Sequence, residues 1–99
     1  MEVAYAQFYQ WEILGKTTTR LGIRTPHNGA IYLGGKVSDP PDQKTTSRAL
    51  AEALQILEDV GAPLMNEVRT NGSHPFRGHE IEKILRDKGI RLNHRACIG

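Results

Sequence analysis

Three consecutive segments within residues 1–37 carry side chains that alternate with a period of two, and this feature limits the fold more than any other. In segment 3–14 both alternating sets are largely apolar, so we expect a central strand that is covered on both faces. Segment 16–25 alternates apolar residues with threonine and arginine, which is typical of a half-exposed strand. A Pro-His-Asn-Gly turn at 26–29 connects it to a third strand over 30–37. The pattern predicts a three-stranded antiparallel meander.

The rest of the chain alternates helices with short strands. Asp42 can cap a helix that begins near Gln43 and ends at Gly61. The apolar face of this helix is formed by Leu50, Ala53, Leu54, Leu57 and Val60. The later segments predict a strand over 64–70, a loop over 71–75, a helix over 78–89 and a terminal strand over 90–98. The predicted fold is therefore α+β with the order βββαβαβ, in which one or two further strands join the meander and both late strands are short enough for a sheet edge.

The core is expected where the apolar period of the strands meets the apolar face of the first helix. The residues that share these periods are Val3, Tyr5, Trp11, Ile13, Ile31 and Leu33 from the strands, and Leu50, Leu54 and Leu57 from the helix.

Composition limits the class of protein. The chain has 99 residues, of which 38% are hydrophobic and 24% charged, so we assign 1–99 to a single globular domain. No apolar run has the roughly 18–20 residues of a membrane span, and the N-terminus lacks a secretory signal pattern. We therefore expect a cytoplasmic protein that does not act at a membrane. Cys97 is the one cysteine, which excludes an intrachain disulfide.

The middle of the chain resembles two related families of nucleic-acid enzymes. Residues 33–37 and 43–49 are similar to the third strand and the Thr-Asn-Arg-Ala-Glu helix start of ribonuclease HI. Residues 68–73, Val-Arg-Thr-Asn-Gly-Ser, are similar to the Thr-Asp-Ser segment of that family and to the Thr-Asp-Asn-Gly of retroviral-type integrases. Phe76 and the Gly-Ile pair at 89–90 match further integrase landmarks. The resemblance implies a ribonuclease H-like fold.

The same resemblance implies catalytic carboxylates that this chain lacks. Members of the superfamily bind two divalent ions with carboxylates from the first strand, the first helix and the fourth strand. At the corresponding places this chain has Ala6 and Gln7, Leu50, and Thr70 and Asn71. Neither an amide nor an alkyl group replaces an anionic ligand of a hard cation. We therefore predict a degenerate member with no catalytic residues, no metal and no cofactor.

Basic residues fall into two blocks, which predicts a binding surface. Residues 16–48 carry six bases and residues 69–99 carry seven, whereas residues 49–68 carry four acids and no base. If the fold brings the two blocks together, they form a surface for phosphate or for an acidic partner, and otherwise they are a solvated face. The candidate binding residues are Arg20, Arg24, Arg77, Arg91 and Arg95.

Histidine, cysteine and aromatic residues allow other interpretations. His74, His79, His94 and Cys97 are zinc-ligand types, but His94 and Cys97 point to opposite faces of a regular strand, so we expect packing and loop roles instead. The Gly-Ser-His segment ending at His74 is similar to that of HicA-type toxin ribonucleases, in which case His74 would be a general acid or base. Aromatic residues of the first strand are expected in the core rather than as a platform for stacked bases.

These observations favour a non-catalytic protein that acts on a nucleic acid or on an acidic or nucleic-acid-binding protein surface. Small size and polarised charge would suit a phage or mobile-element anti-defence inhibitor, such as an anti-CRISPR protein. The alternatives are a small nuclease of HicA-like or eroded ribonuclease H-like type, and a stand-alone nucleic-acid-binding module. We expect either a monomer or a homodimer paired through sheet edges.

Overall fold

The computed structural model describes residues 3–25, 29–63 and 65–94. Its elements, in chain order, are strands β1 (Val3–Ile13), β2 (Lys16–Arg24) and β3 (Ile31–Lys36), helix α1 (Gln43–Asp59), strand β4 (Glu67–Arg69), the 3-10 turn η1 (His74–Phe76), helix α2 (His79–Asp87) and strand β5 (Arg91–Asn93). This is the predicted βββαβαβ order, with η1 as an addition that begins in the predicted loop 71–75 and ends one residue beyond it. The residues predicted to form the 26–29 turn, except Gly29, lie outside the described residues, as do Leu64 and the segment 95–99.

All five strands form one mixed sheet in the order β3-β2-β1-β4-β5. The first three strands are antiparallel neighbours, as predicted, whereas β4 pairs parallel with β1 and β5 pairs parallel with β4. Strand β1 is therefore central. The prediction that β4 could be an edge strand is wrong, because hydrogen bonds to β1 and β5 occupy both of its sides.

Both helices begin and end where the sequence provides the signals. The Asp42 carboxylate accepts a hydrogen bond from the Thr45 amide at 2.8 Å, which satisfies a free N–H of the first turn of α1. Helix α2 is followed by Gly89, whose φ of +72° is the left-handed conformation that glycine adopts without strain. Within the described residues no helix is long and apolar enough to cross a membrane.

The core lies between the sheet and the two helices. From the sheet it contains the alanines of β1, the aliphatic residues of β2 and Val68; from the other elements it contains Leu50, Leu54 and Leu57 of α1, Phe76 of η1, and Ile81 and Leu85 of α2. Strand β3 approaches α1 so closely that a Cβ at Gly34 would overlap the Ala49 carbonyl group. Close strand–helix packing therefore explains this glycine.

The predicted core residues of α1 are buried, but Val60, which was predicted on the apolar face of that helix, is exposed, and the predicted core is wrong for β1 and β3. In β1 the buried residues are Ala4 and Ala6, whereas Tyr5 and Trp11 are only half-buried and Ile13 is exposed. In β3 the exposed Ile31 is on the side away from the helices. Both faces of these strands carry apolar residues, so the period of two does not identify the face that the helices cover. The expectation that β1 is covered on both faces is also wrong, because the described helices all pack on one side.

Candidate functional site

The sheet face opposite the helices is uncovered by any described helix and carries a dense set of aromatic and basic side chains. Residues alternate between the two faces of a strand, so the neighbours of the buried Ala4, Leu21 and Val68 point to this side. We call this surface the open face and define it by Tyr5, Tyr9 and Trp11 of β1, Arg20 and Arg24 of β2, Glu67 and Arg69 of β4, and Arg91 of β5. It presents three aromatic rings and four arginines against one carboxylate.

Two arginines of β2 lie over aromatic rings of β1. The Arg24 guanidinium is 5.2 Å from the centre of the Tyr5 ring, and the Arg20 guanidinium is 6.0 Å from the centre of the Trp11 ring. Tyr5 and Arg24 are directly opposite in the antiparallel register, which places the two side chains side by side. Attraction between a cation and a ring quadrupole orders both partners while the edge of the guanidinium stays available.

Tyr9 lies over the backbone of β2. A Cβ at Gly22 would be 2.6 Å from the Tyr9 ring, so the ring occupies the space that any other residue would fill. The Tyr9 hydroxyl donates a hydrogen bond to Gln7 Oε1 at 3.2 Å. The Tyr9 ring therefore covers the backbone of β2 in the middle of the open face.

Glu67 lies among positive groups on β4 and β5. Its Oε2 accepts a hydrogen bond from Arg69 Nε at 2.7 Å, and its Oε1 accepts one from Arg91 Nε at 3.0 Å. The hydrogen bond from Arg69 is the main cause that lowers the pKa of Glu67, against an opposing effect of burial. The same contact raises the pKa of Arg69. Glu67 and Arg69 are therefore both charged at neutral pH.

The structure brings together some of the predicted binding residues. Arg20, Arg24 and Arg91 all belong to the open face. Arg77 follows η1 instead, where its Nε donates to the Gly72 carbonyl at 2.5 Å, and Arg95 lies outside the described residues. That these residues form a binding surface stays a prediction.

Arg69 is a member of the open face that was not predicted from the sequence. Arg69 and Glu67 flank the apolar Val68 in β4, so their alternation places both on the face opposite Val68. Arg69 is level with Tyr5 in the parallel register, so the two side chains share a face of the sheet. Because Tyr5 was predicted in the core, nothing in the sequence indicated that Arg69 lies on an exposed face.

A shallow cleft of about 320 Å³ lies where β1 passes the end of β4. It is lined by Ala6, Gln7, Phe8, Asn71 and Phe76. The rings of Phe8 and Phe76 stack with their centres 4.8 Å apart and close its apolar side. The polar groups of its lining side chains are the amides of Gln7 and Asn71, which are neutral hydrogen-bonding groups.

The histidines are dispersed. His94 is half-buried, and its Nδ1 is 2.7 Å from Oγ1 of the buried Thr70. Burial lowers the pKa of His94, and the nearby Arg77 lowers it further. His74 and His79 are exposed on η1 and at the start of α2. Within residues 3–25, 29–63 and 65–94 no three His, Cys, Asp or Glu residues group closely enough to bind a metal ion, and Cys97 lies outside these ranges.

Comparison with known proteins finds similarity in structure alone. No family model and no curated protein matches the sequence. Among solved structures, the catalytic core domain of HTLV-2 integrase in complex with magnesium has a TM-score of 0.68 at 14% identity, covering 92% of this chain and 57% of that one. The catalytic core domain of BIV integrase has a TM-score of 0.62 at 16% identity, covering 92% of this chain and 52% of that one.

A chain of a larger assembly has a similar fold. The simian T-cell lymphotropic virus intasome in complex with a PP2A regulatory subunit contains a chain with a TM-score of 0.68 at 10% identity, covering 92% of this chain and 30% of that one. This chain thus spans about half the length of the integrase cores, and the likeness concerns the fold. The five-stranded sheet with its two helices has the ribonuclease H-like fold of retroviral integrase catalytic cores.

Proposed function

We propose that the protein is a non-catalytic binder of single-stranded nucleic acid and that the open face is its binding surface. One observation carries the proposal: three aromatic rings and four arginines share a sheet face that no described helix covers. Aromatic side chains stack on unpaired bases, and arginine forks bind phosphates. The combination is typical of sheets that bind a single strand across their surface.

The shape of the face favours unpaired bases over a duplex. Tyr9 lies over Gly22, and arginines lie over the rings of Tyr5 and Trp11, so all three rings belong to the same face of the sheet. Bases within a duplex are already stacked on each other and cannot stack on such a surface. We therefore expect single strands to bind more tightly than duplexes of the same sequence.

The proposed absence of catalysis rests on the chemistry of the cleft that contains the amides of Gln7 and Asn71. Magnesium is bound by the HTLV-2 integrase core, whereas the residues of this chain at the places where the resemblance expects carboxylates do not fit that ion. Gln7 and Asn71 offer neutral amides, and Leu50 is buried in the core. The nearest acid in α1, Glu52, lies against Gly35 of β3. Hard cations need carboxylates, so we propose that the fold is retained here for binding.

A wider role is compatible with this proposal. A protein that binds single strands can compete with a nucleic-acid-processing complex for its substrate, which is one way in which an anti-defence inhibitor could act. The notion of an anti-CRISPR-like inhibitor, and a cytoplasmic location, stay predictions.

The proposal is tested by fluorescence anisotropy with labelled 12-nucleotide RNA and DNA, single-stranded and duplex, at two salt concentrations. The double variant Arg20→Ala/Arg24→Ala should bind at least about 10-fold more weakly than the wild type, because two phosphate contacts are lost. It should also lower the slope of log Kd against log salt by about one unit per contact. Arg48→Ala/Lys83→Ala removes the same charge from exposed sites on the two helices and should retain most of the affinity.

Two outcomes would contradict the proposal. Equal loss in both double variants would show that binding depends on net charge alone. Cleavage of any of these substrates, or of an RNA–DNA hybrid, in the presence of Mg²⁺ or Mn²⁺ would restore an enzymatic function; loss of this activity in Glu52→Gln would assign it to an acid that the resemblance does not include.

A further inference from the structure

We infer that Glu67 positions Arg69 and Arg91 as a clamp for one phosphate group, the ligand being a backbone phosphodiester. The inference rests on the proposed function and deepens it, because it assigns the phosphate end of the open face. The evidence for the clamp is that these three side chains on β4 and β5 are hydrogen-bonded, with each arginine donating to a different oxygen of Glu67.

Glu67 contacts each arginine through one oxygen and one nitrogen. Arg69 Nε donates to Oε2 and Arg91 Nε donates to Oε1, so neither arginine forms a bidentate pair with the carboxylate through its two Nη atoms. A guanidinium has five N–H donors. Glu67 therefore leaves the Nη atoms of both arginines unused, although Arg69 also shares a hydrogen bond with the Tyr5 side chain.

Exposure differs sharply between the acid and its partners. The side chain of Glu67 is only 6% exposed, whereas those of Arg69 and Arg91 are 34% and 68% exposed. The negative charge is thus beneath the surface, and an approaching ligand meets two guanidinium groups. The three residues together carry one net positive charge. Two adjacent guanidiniums that would otherwise repel each other are held close by the carboxylate between them.

The position of the pair suits a phosphate beside a stacked base. Arg69 is level with Tyr5 in the parallel register of β1 and β4, and Arg24 flanks Tyr5 on the other side. A base stacked on the Tyr5 ring would have its backbone within reach of neighbouring strands, which are about 5 Å apart. Bidentate contacts from arginine to phosphate are short and charge-assisted. A phosphodiester therefore matches the clamp in charge and in size.

The substitution Glu67→Gln distinguishes a positioning role from simple electrostatics, because the two predict opposite changes in the affinity for nucleic acid. Removing a negative charge makes the face more positive, so electrostatics alone predicts tighter binding of nucleic acid. The clamp predicts weaker binding, by about 5-fold or more, because an amide holds two guanidiniums poorly. Glu12→Gln removes the same charge from an exposed site on the β1–β2 hairpin and should leave the affinity equal or slightly tighter.

The experiment measures the affinity of these variants for the single-stranded 12-mers, with a melting temperature for each. If Glu67→Gln does not fold, Arg91→Lys is measured in its place. This variant keeps the positive charge but loses the planar guanidinium, so it should also bind at least about 5-fold more weakly. The control Arg48→Lys should retain the wild-type affinity. Affinity in Glu67→Gln or Arg91→Lys that equals or exceeds that of the wild type would overturn the clamp.

A second probe distinguishes this inference from the proposed function. Inorganic phosphate is titrated into ¹⁵N-labelled protein while the Arg Nε–H resonances are followed by NMR. Joint shifts of the Arg69 and Arg91 resonances that are absent in Glu67→Gln support the clamp. If these shifts occur but no oligonucleotide binds, the proposed function fails and the clamp binds the phosphate group of another ligand. Oligonucleotide binding without these shifts would retain the proposed function and reject the clamp. No binding of either probe would reject both.

Discussion

The two faces of the same sheet differ in what their side chains do. On the helix side, small residues and aliphatic residues interlock with α1 and α2, and Ala4, Leu21 and Ile23 are fully buried. On the open face, the half-buried Tyr5 ring lies beneath the exposed Arg24, and the half-buried Trp11 ring lies beneath Arg20, which is itself half-buried. Removing a side chain from the first face leaves a cavity, whereas removing one from the second face leaves a gap that water fills. Substitutions on the open face should therefore change the proposed binding at a smaller cost in stability than substitutions on the helix side.

The largest effect is expected from a cavity under α1. Leu54→Ala should lower the free energy of unfolding by about 2–5 kcal/mol, because Leu54 is enclosed by the core. The fall in Tm should exceed about 8 °C for a domain of this size. Trp11→Ala on the open face is the matched comparison, and it should cost distinctly less in stability although a larger side chain is lost. Equal losses in thermal denaturation would mean that the open face is part of a core.

Two glycines, one packed against a helix and one beneath the open face, should differ in how much an added methyl group destabilises the protein. At Gly34 an added methyl would overlap the Ala49 carbonyl group, whereas at Gly22 it would meet only the Tyr9 ring and the Ile31 methyl. Backbone of a packed helix cannot move away easily, so Gly34→Ala should destabilise the protein by about 1–3 kcal/mol. The Tyr9 ring can rotate toward solvent, so Gly22→Ala should be much milder. Denaturant titrations of both variants would show whether the order is reversed.

A smaller effect, of opposite sign, is expected at the tip of the β1–β2 hairpin. Leu14 has a φ of +51°, is 98% exposed and is followed by Gly15 with a φ of +77°. Two consecutive positive φ angles favour Asn-Gly, and leucine is strained there. Leu14→Asn should therefore stabilise the protein by about 1 kcal/mol. A lower Tm in this variant would indicate that the Leu14 side chain makes stabilising contacts.

The smallest effect is a pH dependence from Glu67, one of 11 acidic residues. Its pKa is lowered in the folded state, so its stabilising effect is complete above the ordinary glutamate pKa of about 4.3 and is lost as the pH falls through the folded value. Wild-type protein should therefore lose more stability below that pH than Glu67→Gln does. Parallel stability curves for the two proteins between pH 6 and pH 3 would contradict this assignment.

Much of the fold could be predicted because each element carries its own signal. Asp42 and Gly89 delimit helices, and the alternation of Leu21 and Ile23 with arginine defines both faces of β2. Strand β1 has apolar residues on both sides, so the larger Tyr5 and Trp11 were expected in the core. The packing decides otherwise: α1 approaches β3 very closely at Gly34, Phe76 of η1 stacks on Phe8, and the helix side of β1 holds alanines.

The candidate site was predictable only in part for the same reason. Arg20 and Arg24 were identified because their strand has one clearly polar face. The aromatic half of the open face was assigned to the core by the error in β1, and Arg69 was overlooked because its position depends on the parallel pairing of β4 with β1. Long-range strand pairing is not encoded in the local period of a segment.

Fluorescence of the single tryptophan tests whether single-stranded nucleic acid binds the open face, because Trp11 belongs to that face and is the one tryptophan in the chain. Titration with a single-stranded 12-mer should quench its emission with a saturable curve, as a base stacks beside the ring. The quenching should weaken as salt is raised, and duplex of the same sequence should produce much less of it. Oligonucleotide binding that leaves Trp11 emission unchanged, or equal quenching by duplex and single strand, would contradict the assignment of the open face.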